Sequence, residues 1–399
     1  MQQTKKKPVG IYVHIPFCTR RCGYCDFLTF SHIEHLHDPY TLALVKEIES
    51  AKHLEAYTIT SIFFGGGTPT NLSPSALTLI FNALKKYDIS PEAEITIESN
   101  PGTLNLAMLR RLKSLGVNRL SIGLQSWHNK TLKQIDRGHS REEFLTNYKH
   151  ARKLGFDNIN IDLIFSLPRL EGGVYSEKEA FYLWYDTLKN VIALEPEHLS
   201  LYSLIIEEGT RFYKQEQAGT LITQSEELDR RMYHFAQGYL KKKGYEQYEI
   251  SNFSKRNKDC AHNVLYWRRG EYFGFGLGAS GFIKGHRQSN ERNLKQYIET
   301  INAEGYKRAD IIAESTFIDK REAMEEFMYL GLRNLSGISI AEFKKNFGQA
   351  LYDVFGEQIK KNINANLLSQ QGDRLKLTAR GLDISNRVFA EFLEGEGNA

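Results

Sequence analysis

The feature that most constrains the fold is a regular alternation of short apolar segments and amphipathic segments through about 200 residues of the chain. Alternating strands and helices imply a parallel sheet, because each helix returns the chain to the start of the next strand. We predict strands at residues 11–15, 61–64, 94–98, 119–124, 158–165 and 198–204. Helices are predicted at 40–57, 105–115, 141–154 and 176–194, and another helix begins at residue 74. Six βα units indicate a partial (β/α)6 barrel, short of the eight units of a full TIM-like barrel.

Three of the four cysteines follow the first strand with the spacing C-x3-C-x2-C, at Cys18, Cys22 and Cys25. Three thiolates on one loop can hold three irons of a 4Fe–4S cluster and leave the fourth iron for a non-protein ligand. The alternatives are a zinc site or buried cysteines, but zinc sites usually use two paired ligand sets, and the sequence has no second set. The spacing therefore predicts a reactive cluster, since an open coordination position distinguishes reactive from structural metal sites.

Polar and glycine residues follow successive strands near their predicted ends: Gly66, Gly67 and Thr68, then Glu98, Gln125 and Asp162. Barrel enzymes build their active sites on this face, so we expect these residues to converge beside the cysteine loop. Individually, Glu98 could cap a helix, and Asp162 could be a hydrogen-bonded buried carboxylate. Their recurrence in four successive units favours a shared site.

The cysteine spacing is typical of radical S-adenosylmethionine (SAM) enzymes, and longer motifs extend the resemblance over most of the chain. Residues 12–18, 65–70, 98–101, 121–126 and 137–139 are similar to motifs of the oxygen-independent coproporphyrinogen III oxidase family. The resemblance implies a 4Fe–4S cluster on the three cysteines, with SAM on the open iron and no catalytic side chain assigned. The SAM contacts it implies are Tyr12, Phe27, Gly66, Gly67, Thr68, Glu98, Gln125, Arg137 and Asp162.

Two features resemble the haem chaperone branch of that family. Decarboxylating oxidases continue the motif as C-x3-C-x2-C-x-C and carry a longer N-terminal arm, whereas this chain has Phe27 and about ten residues before the first strand. The second feature is an H-N-x-x-Y-W motif formed by His262, Asn263, Tyr266 and Trp267. The resemblance therefore implies haem binding and transfer to acceptor haemoproteins. The alternative is oxidative decarboxylation of coproporphyrinogen III to protoporphyrinogen IX.

The H-N-x-x-Y-W motif leaves the haem ligand open. His262 could ligate haem iron, with Tyr266 and Trp267 lining the macrocycle. Alternatively His262 and Asn263 only brace a turn, and Cys260 is either a rival axial ligand or a small buried residue. A strand is predicted at residues 244–253, and the glycine-rich segment 273–281 permits either close packing on a flat ligand or a bulged strand against the barrel.

The C-terminal segment has a different pattern. Helices predicted at 315–334, 339–347 and 351–362, a hairpin at 367–378 and a closing helix at 381–393 indicate a winged-helix-like domain. Its lysines alternate with acidic residues, which favours a structural or partner-docking role over DNA binding. We predict three domains: 1–210, the radical SAM barrel; 211–310, a haem-associated α+β insert; and 311–399, the winged-helix-like domain.

Composition limits the partners. A net charge of +4 and a pI near 8.6 do not argue for a nucleic-acid-binding surface, and no apolar run approaches the length of a membrane span. We expect at most peripheral membrane contact. Clustered free thiols fit a reducing compartment, so a cytoplasmic protein is predicted. The expected partners are haem, acceptor haemoproteins and an electron donor such as flavodoxin or ferredoxin, and a homodimer is left open.

Overall fold

The computed structural model describes residues 6–170 and 176–393. All six predicted strands are present, and a helix follows each of the first five. In chain order the elements are β1 (Lys7–Ile15), α1 (His37–Ser50), β2 (Tyr57–Gly66), α2 (Pro74–Leu84), β3 (Ile89–Ser99), α3 (Leu106–Leu115), β4 (Arg119–Gln125), α4 (Asn129–Gln134), α5 (Arg141–Lys153), β5 (Ile159–Phe165), β6 (Arg169–Leu170), α6 (Glu177–Ile192) and β7 (His198–Ser203).

Strands β1 to β5 and β7 are neighbours in chain order, and every pair among them is parallel. Their apolar side chains are fully buried at positions such as Ile11, Ile97 and Ile161. Helices cover a parallel sheet of this kind, so its strands need nearly continuous apolar sequence. The predicted parallel α/β architecture is confirmed, and it places the carboxyl ends of six strands on one face.

The next segment adds strands to both edges of this sheet. Its elements are α7 (Arg211–Gln217), β8 (Leu221–Ile222), α8 (Glu226–Lys242), β9 (Glu246–Gln247), β10 (Asn252–Ser254), α9 (Ala261–Trp267), β11 (Tyr272–Phe275), β12 (Ser280–Ile283), β13 (His286–Asn290), α10 (Leu294–Asn302) and β14 (Ile312–Phe317). The resulting twelve-stranded sheet has the order β14-β13-β12-β11-β1-β2-β3-β4-β5-β7-β10-β9. Strand β6 pairs with β8 in a separate two-stranded sheet.

Two predictions for this segment have different outcomes. The glycine-rich segment forms β11, which runs parallel to β1 and turns into β12, so it packs on the barrel as one of the two alternatives proposed. The single strand predicted at 244–253 is wrong. It is a hairpin of β9 and β10, because Tyr233 and Gln247 donate hydrogen bonds to the Ile250 carbonyl and hold the turn between them.

The C-terminal region forms a unit with its own core. Its elements are α11 (Lys320–Gly331), β15 (Ile338–Ser339), α12 (Ile340–Phe347), α13 (Leu351–Asn364), β16 (Leu368–Gln371), β17 (Arg374–Leu377), α14 (Ala379–Asp383) and α15 (Ser385–Ala390). The strand order β15-β17-β16 and the packing of Phe343, Phe355 and Leu375 fit the winged-helix-like prediction. Among the described residues, none of the helices is both long and apolar enough to cross a membrane.

Three predicted helices differ from the structure by more than two residues at a boundary. The helix predicted at 40–57 ends at Ser50, where Ala51 leaves helical geometry, and Tyr57 already belongs to β2. The helix predicted at 315–334 begins at Lys320, because Asp319 and Glu322 form a capping box and residues 312–317 pair with β13 instead. The predicted closing helix is two short helices that break at Ile384.

Candidate functional site

A cavity of about 370 Å³ lies at the carboxyl ends of the parallel strands. The loop after β1 forms one wall, and residues at the ends of β2 to β5 and β7 form the rest. The structure thereby brings together most of the residues predicted for the cluster and SAM. Those that line the cavity are Cys18, Cys22, Cys25, Phe27, Gly66, Gly67, Glu98, Gln125, Arg137 and Asp162.

Two predicted SAM contacts lie beside the cavity rather than among the described residues that line it. Thr68 places its hydroxyl 3.4 Å from the Cys18 sulfur and accepts a hydrogen bond from Asn100 Nδ2 at 2.7 Å. The Tyr12 hydroxyl is 3.0 Å from His14 Nδ1, and the Tyr12 ring lies against Gly65. Thr68 therefore contacts two residues of the cavity wall, whereas Tyr12 lies behind the glycine run.

The glycine run after β2 allows the cysteine loop to approach closely. Gly67 donates its N–H to the Ile15 carbonyl at 2.9 Å, and a Cβ on Gly67 would lie 2.7 Å from the Phe17 carbonyl oxygen. Gly66 has a φ of +106°, in the region that favours glycine. A side chain at Gly67 would therefore push the end of β2 away from the loop, and one at Gly66 would collide with the His14 ring on β1.

The three cysteines of the loop after β1 lie on the cavity wall. A 4Fe–4S cluster would place each of their thiolates on a different iron. Within residues 6–170 and 176–393, no group of three or more His, Cys, Asp and Glu side chains forms a site for a single metal ion. Burial raises the pKa of Cys18 to about 11, and Arg137 Nη1 lies 3.5 Å from the Cys22 sulfur. The positive guanidinium offsets the negative charge that bound thiolates carry.

Three buried polar atoms on the cavity wall have no hydrogen-bond partner among the described residues: Thr29 Oγ1 and two that belong to predicted SAM contacts, Gln125 Oε1 and Arg137 Nε. The rest of the Arg137 guanidinium is anchored, since it donates to the Gly123 carbonyl at 2.6 Å and to Asn100 Oδ1. Gln125 also has a φ of +67°, which is uncommon for a residue with a side chain. Because unpaired buried polar atoms are costly, these atoms indicate a site for a polar ligand.

Two carboxylates face the same cavity. Glu98 accepts a hydrogen bond from the Gly66 N–H at 3.2 Å, and burial, with the Asp162 charge second, raises the pKa of Glu98 to about 8. Asp162 accepts from Asn160 Nδ2 at 2.8 Å and from the Ser121 hydroxyl at 3.0 Å. Like charges that share a buried site favour protonation of one of them, and a cationic ligand would relieve this repulsion.

Sequence reasoning did not single out Asn100, Tyr202 or Ile205, which also line the cavity. Phe27, Tyr202 and Ile205 form what we call the apolar rim, and their side chains are 63%, 43% and 67% exposed. Tyr202 and Ile205 stand at the end of β7, so the rule that found Glu98 and Asp162 could have found them. It was applied only to polar residues.

The H-N-x-x-Y-W motif lies in α9, away from the strand ends. His262 is buried, and its ring stacks on Phe63 with the centroids 5.3 Å apart. Its Nδ1 is 2.8 Å from the Ser61 hydroxyl, and its Nε2 is 2.7 Å from the Tyr266 hydroxyl. Burial lowers the pKa of His262 to about 3, so the ring is neutral. Both ring nitrogens are hydrogen-bonded within the protein, which fits the bracing alternative.

Other residues of the motif region also pack inside the protein. Cys260 is the buried N-cap of α9, with its sulfur 3.4 Å from Glu94 Oε1. Glu94 accepts hydrogen bonds from the first two N–H groups of the helix, at 3.0 and 3.2 Å. Trp267 lies under the Arg333 guanidinium at 4.7 Å, and Asn263 is half-buried in the first turn. The α9 helix therefore closes the barrel interior below the cavity.

Comparisons with known proteins agree with this architecture. A sequence model described as the radical SAM superfamily matches residues 12–171, and one described as the HemN C-terminal domain matches residues 318–384. The solved structure of coproporphyrinogen III oxidase (HemN) from Escherichia coli superposes with a TM-score of 0.82 at 22% identity, covering 97% of this chain and 90% of that one. At this identity the likeness shows a shared fold.

Curated relatives are similar over nearly the whole length. A protein named heme chaperone HemW from Bacillus subtilis (strain 168) is 36% identical over 385 residues, covering 96% of this chain and 98% of the relative. The protein of that name from Lactococcus lactis subsp. lactis (strain IL1403) is 35% identical over 390 residues, covering 97% and 98%. These matches and the radical SAM segment lead to one assignment: the chain belongs to the HemW family of radical SAM proteins.

Proposed function

We propose that this protein binds haem and transfers it to acceptor haemoproteins, with a SAM-ligated 4Fe–4S cluster in the cavity. The observation that carries the proposal is the similarity, over nearly full length, to proteins named heme chaperones. Phe27 supports it as well, because it occupies the position where the resemblance places a fourth cysteine in the decarboxylating oxidases. An apolar ring there cannot serve as a thiol.

The residues on the cavity wall fit the two cofactors. Cys18, Cys22 and Cys25 would hold the cluster, and its open iron with SAM supplies one-electron chemistry when bound. Gln125 Oε1 and Arg137 Nε have unused hydrogen-bonding capacity. The other residues that we assign to SAM provide carboxylate oxygens, glycine backbone or cavity wall: Tyr12, Phe27, Gly66, Gly67, Thr68, Glu98 and Asp162.

Haem has two candidate positions. One is the predicted motif His262, Asn263, Tyr266 and Trp267, where ligation requires His262 to give up one hydrogen bond. The other is the apolar rim, whose exposed side chains would be covered by a flat macrocycle. The first position needs a rearrangement in a buried region, whereas the second is already accessible.

The test of the function is an anaerobic experiment on reconstituted protein. One sample is titrated with haem, and a second receives coproporphyrinogen III, SAM and a reductant. We expect haem binding without decarboxylation. Catalytic formation of protoporphyrinogen IX would support the oxidase alternative, and absence of haem binding would contradict the chaperone proposal.

The haem position is tested with two pairs of variants. If His262 is the axial ligand, His262→Ala lowers haem affinity, and Tyr266→Phe raises it by freeing Nε2. If the rim binds haem, Ile205→Ser lowers affinity, and both α9 variants leave it unchanged. The matched control is Ile222→Ser, which alters an exposed isoleucine that does not line the cavity.

The proposed setting follows from this chemistry. The cluster cysteines require a reducing compartment, so we propose a cytoplasmic location. Reduction of the cluster requires an electron donor, for which flavodoxin or ferredoxin is suitable. Copurification with a haem-depleted acceptor would test the acceptor interaction. Sedimentation of the reconstituted protein would test whether it forms a homodimer.

A further inference from the structure

A chain of buried hydrogen bonds runs through the barrel interior below the cavity. At its upper end, Asn160 Nδ2 donates to Asp162 Oδ1 at 2.8 Å and to the Ser121 hydroxyl at 2.7 Å. The Ser121 hydroxyl donates in turn to Asp162 Oδ2 at 3.0 Å. Both carboxylate oxygens therefore accept hydrogen bonds from residues that do not line the cavity, and each oxygen keeps a further lone pair for a ligand.

The same chain continues downward to α9. His198 Nδ1 is 2.7 Å from Asn160 Oδ1, and His198 Nε2 is 2.8 Å from the Tyr248 hydroxyl. The backbone N–H of Cys260, the N-cap of α9, donates to the Tyr248 hydroxyl oxygen at 3.3 Å. The side chains of His198 and Asn160 are almost completely buried, so water does not substitute for these partners.

The directions of these hydrogen bonds are determined by the atoms involved. Both N–H groups of the Asn160 amide are used toward Asp162 and Ser121, so its oxygen accepts and His198 Nδ1 must carry the proton. His198 Nε2 then accepts, and the Tyr248 hydroxyl is its donor. Burial lowers the pKa of His198 well below the usual value, so the ring stays neutral in this single tautomer. Every donor in the chain points toward Asp162.

We propose that Tyr248, His198 and Asn160 are positioning residues that hold the Asp162 carboxylate for SAM from inside the barrel. The proposal rests on the assignment of Asp162 to the SAM site in the proposed function. Without the Tyr248 hydroxyl, His198 Nε2 loses its donor, and the ring is anchored only through its hydrogen bond to Asn160 Oδ1. The ring can then shift, and the Asn160 amide that donates to Asp162 is held less firmly.

The test uses Tyr248→Phe, which removes one hydroxyl that does not line the cavity. We expect SAM affinity to fall by about three- to tenfold, which corresponds to the free energy of one hydrogen bond. Affinity is measured by anaerobic equilibrium dialysis of the reconstituted protein, with iron content unchanged. Ser200→Ala, which removes the second donor to Asn160 Oδ1 at 3.1 Å, should act in the same direction.

The matched control is Tyr245→Phe. It removes a buried hydroxyl that donates to the Pro196 carbonyl at 2.6 Å and does not belong to the chain of hydrogen bonds that leads to Asp162. If the role is positioning, both tyrosine variants lower the melting temperature similarly and only Tyr248→Phe weakens SAM binding. Equal SAM affinity in all of these variants would overturn the proposal. Unchanged affinity in Asp162→Ala would overturn the Asp162 assignment itself, and the haem titration tests the chaperone function separately.

Discussion

The two ends of the barrel interior differ in how their polar groups are used. At the strand ends, Gln125 Oε1 and Arg137 Nε lack partners, and the apolar rim is exposed. At the α9 end, His262 uses both ring nitrogens, and Glu94 caps the helix that carries the motif. Both ends contain the residue types that bind cofactors. Trp267 Nε1 at the α9 end also lacks a partner, but the unpaired atoms at the strand ends line the cavity of about 370 Å³.

This difference distinguishes a ligand site from a structural closure. Polar atoms in a folded interior are paired unless something else pairs with them, so unpaired atoms around a cavity indicate a ligand. A histidine that already has two partners contributes to stability through them. Variants at the two ends of the barrel interior test this difference.

The largest effect is expected from the cysteines. Cys18→Ser, Cys22→Ser or Cys25→Ser should abolish the 4Fe–4S cluster, because a missing thiolate leaves a second iron without a protein ligand. Cys260→Ser should retain it, since Cys260 contacts Glu94 below the cavity. Iron content and visible absorbance after anaerobic reconstitution measure both. Loss of the cluster in Cys260→Ser would contradict the assignment of the two ends.

His262→Ala should lower the free energy of unfolding by about 3 kcal/mol, because it creates a cavity and leaves the Ser61 and Tyr266 hydroxyls unpaired. Denaturant unfolding with the cluster protected from oxygen measures the change. The cluster and SAM binding should persist in the folded fraction. A variant as stable as wild type would show that α9 does not close the barrel in the way described.

Asp162→Ala should weaken SAM binding by about tenfold or more while the cluster still assembles, because a charge-assisted hydrogen-bond acceptor is lost. The matched control is Asp157→Ala, which removes an exposed carboxylate just before the start of β5. Equilibrium dialysis measures both variants. Equal weakening in the control would point to a general electrostatic effect instead of a contact.

The smallest change in the free energy of unfolding at pH 7 is expected for Glu98→Gln, because a pKa of about 8 leaves the Glu98 carboxyl mostly protonated at that pH. The unfolded chain releases this proton near pH 4.5, so the folded state binds more protons between pH 4.5 and 8. The free energy of unfolding should therefore fall as pH rises through this window in wild type, with a shallower slope in Glu98→Gln. If the free energy of unfolding changes with pH equally in wild type and Glu98→Gln between pH 5 and 9, the raised pKa of Glu98 is wrong.

Local sequence was sufficient for features that depend on short segments. The cysteine spacing, the alternation of strands and helices, and the carboxylates near strand ends are each visible within a few residues. The convergence of Glu98 and Asp162 on one cavity follows from parallel strands, which place their carboxyl ends together. The functional roles assigned to these residues remain predictions.

The side chains that fill the barrel interior depend on contacts between residues far apart in sequence. His262 and its partner Ser61 are 201 residues apart, and Cys260 and Glu94 are 166 apart. No local pattern encodes such pairs, because they depend on which face of α9 enters the barrel and how far it enters. Short sequence patterns were enough to predict the cysteine loop and the parallel sheet, whereas long-range packing holds the H-N-x-x-Y-W helix inside the barrel.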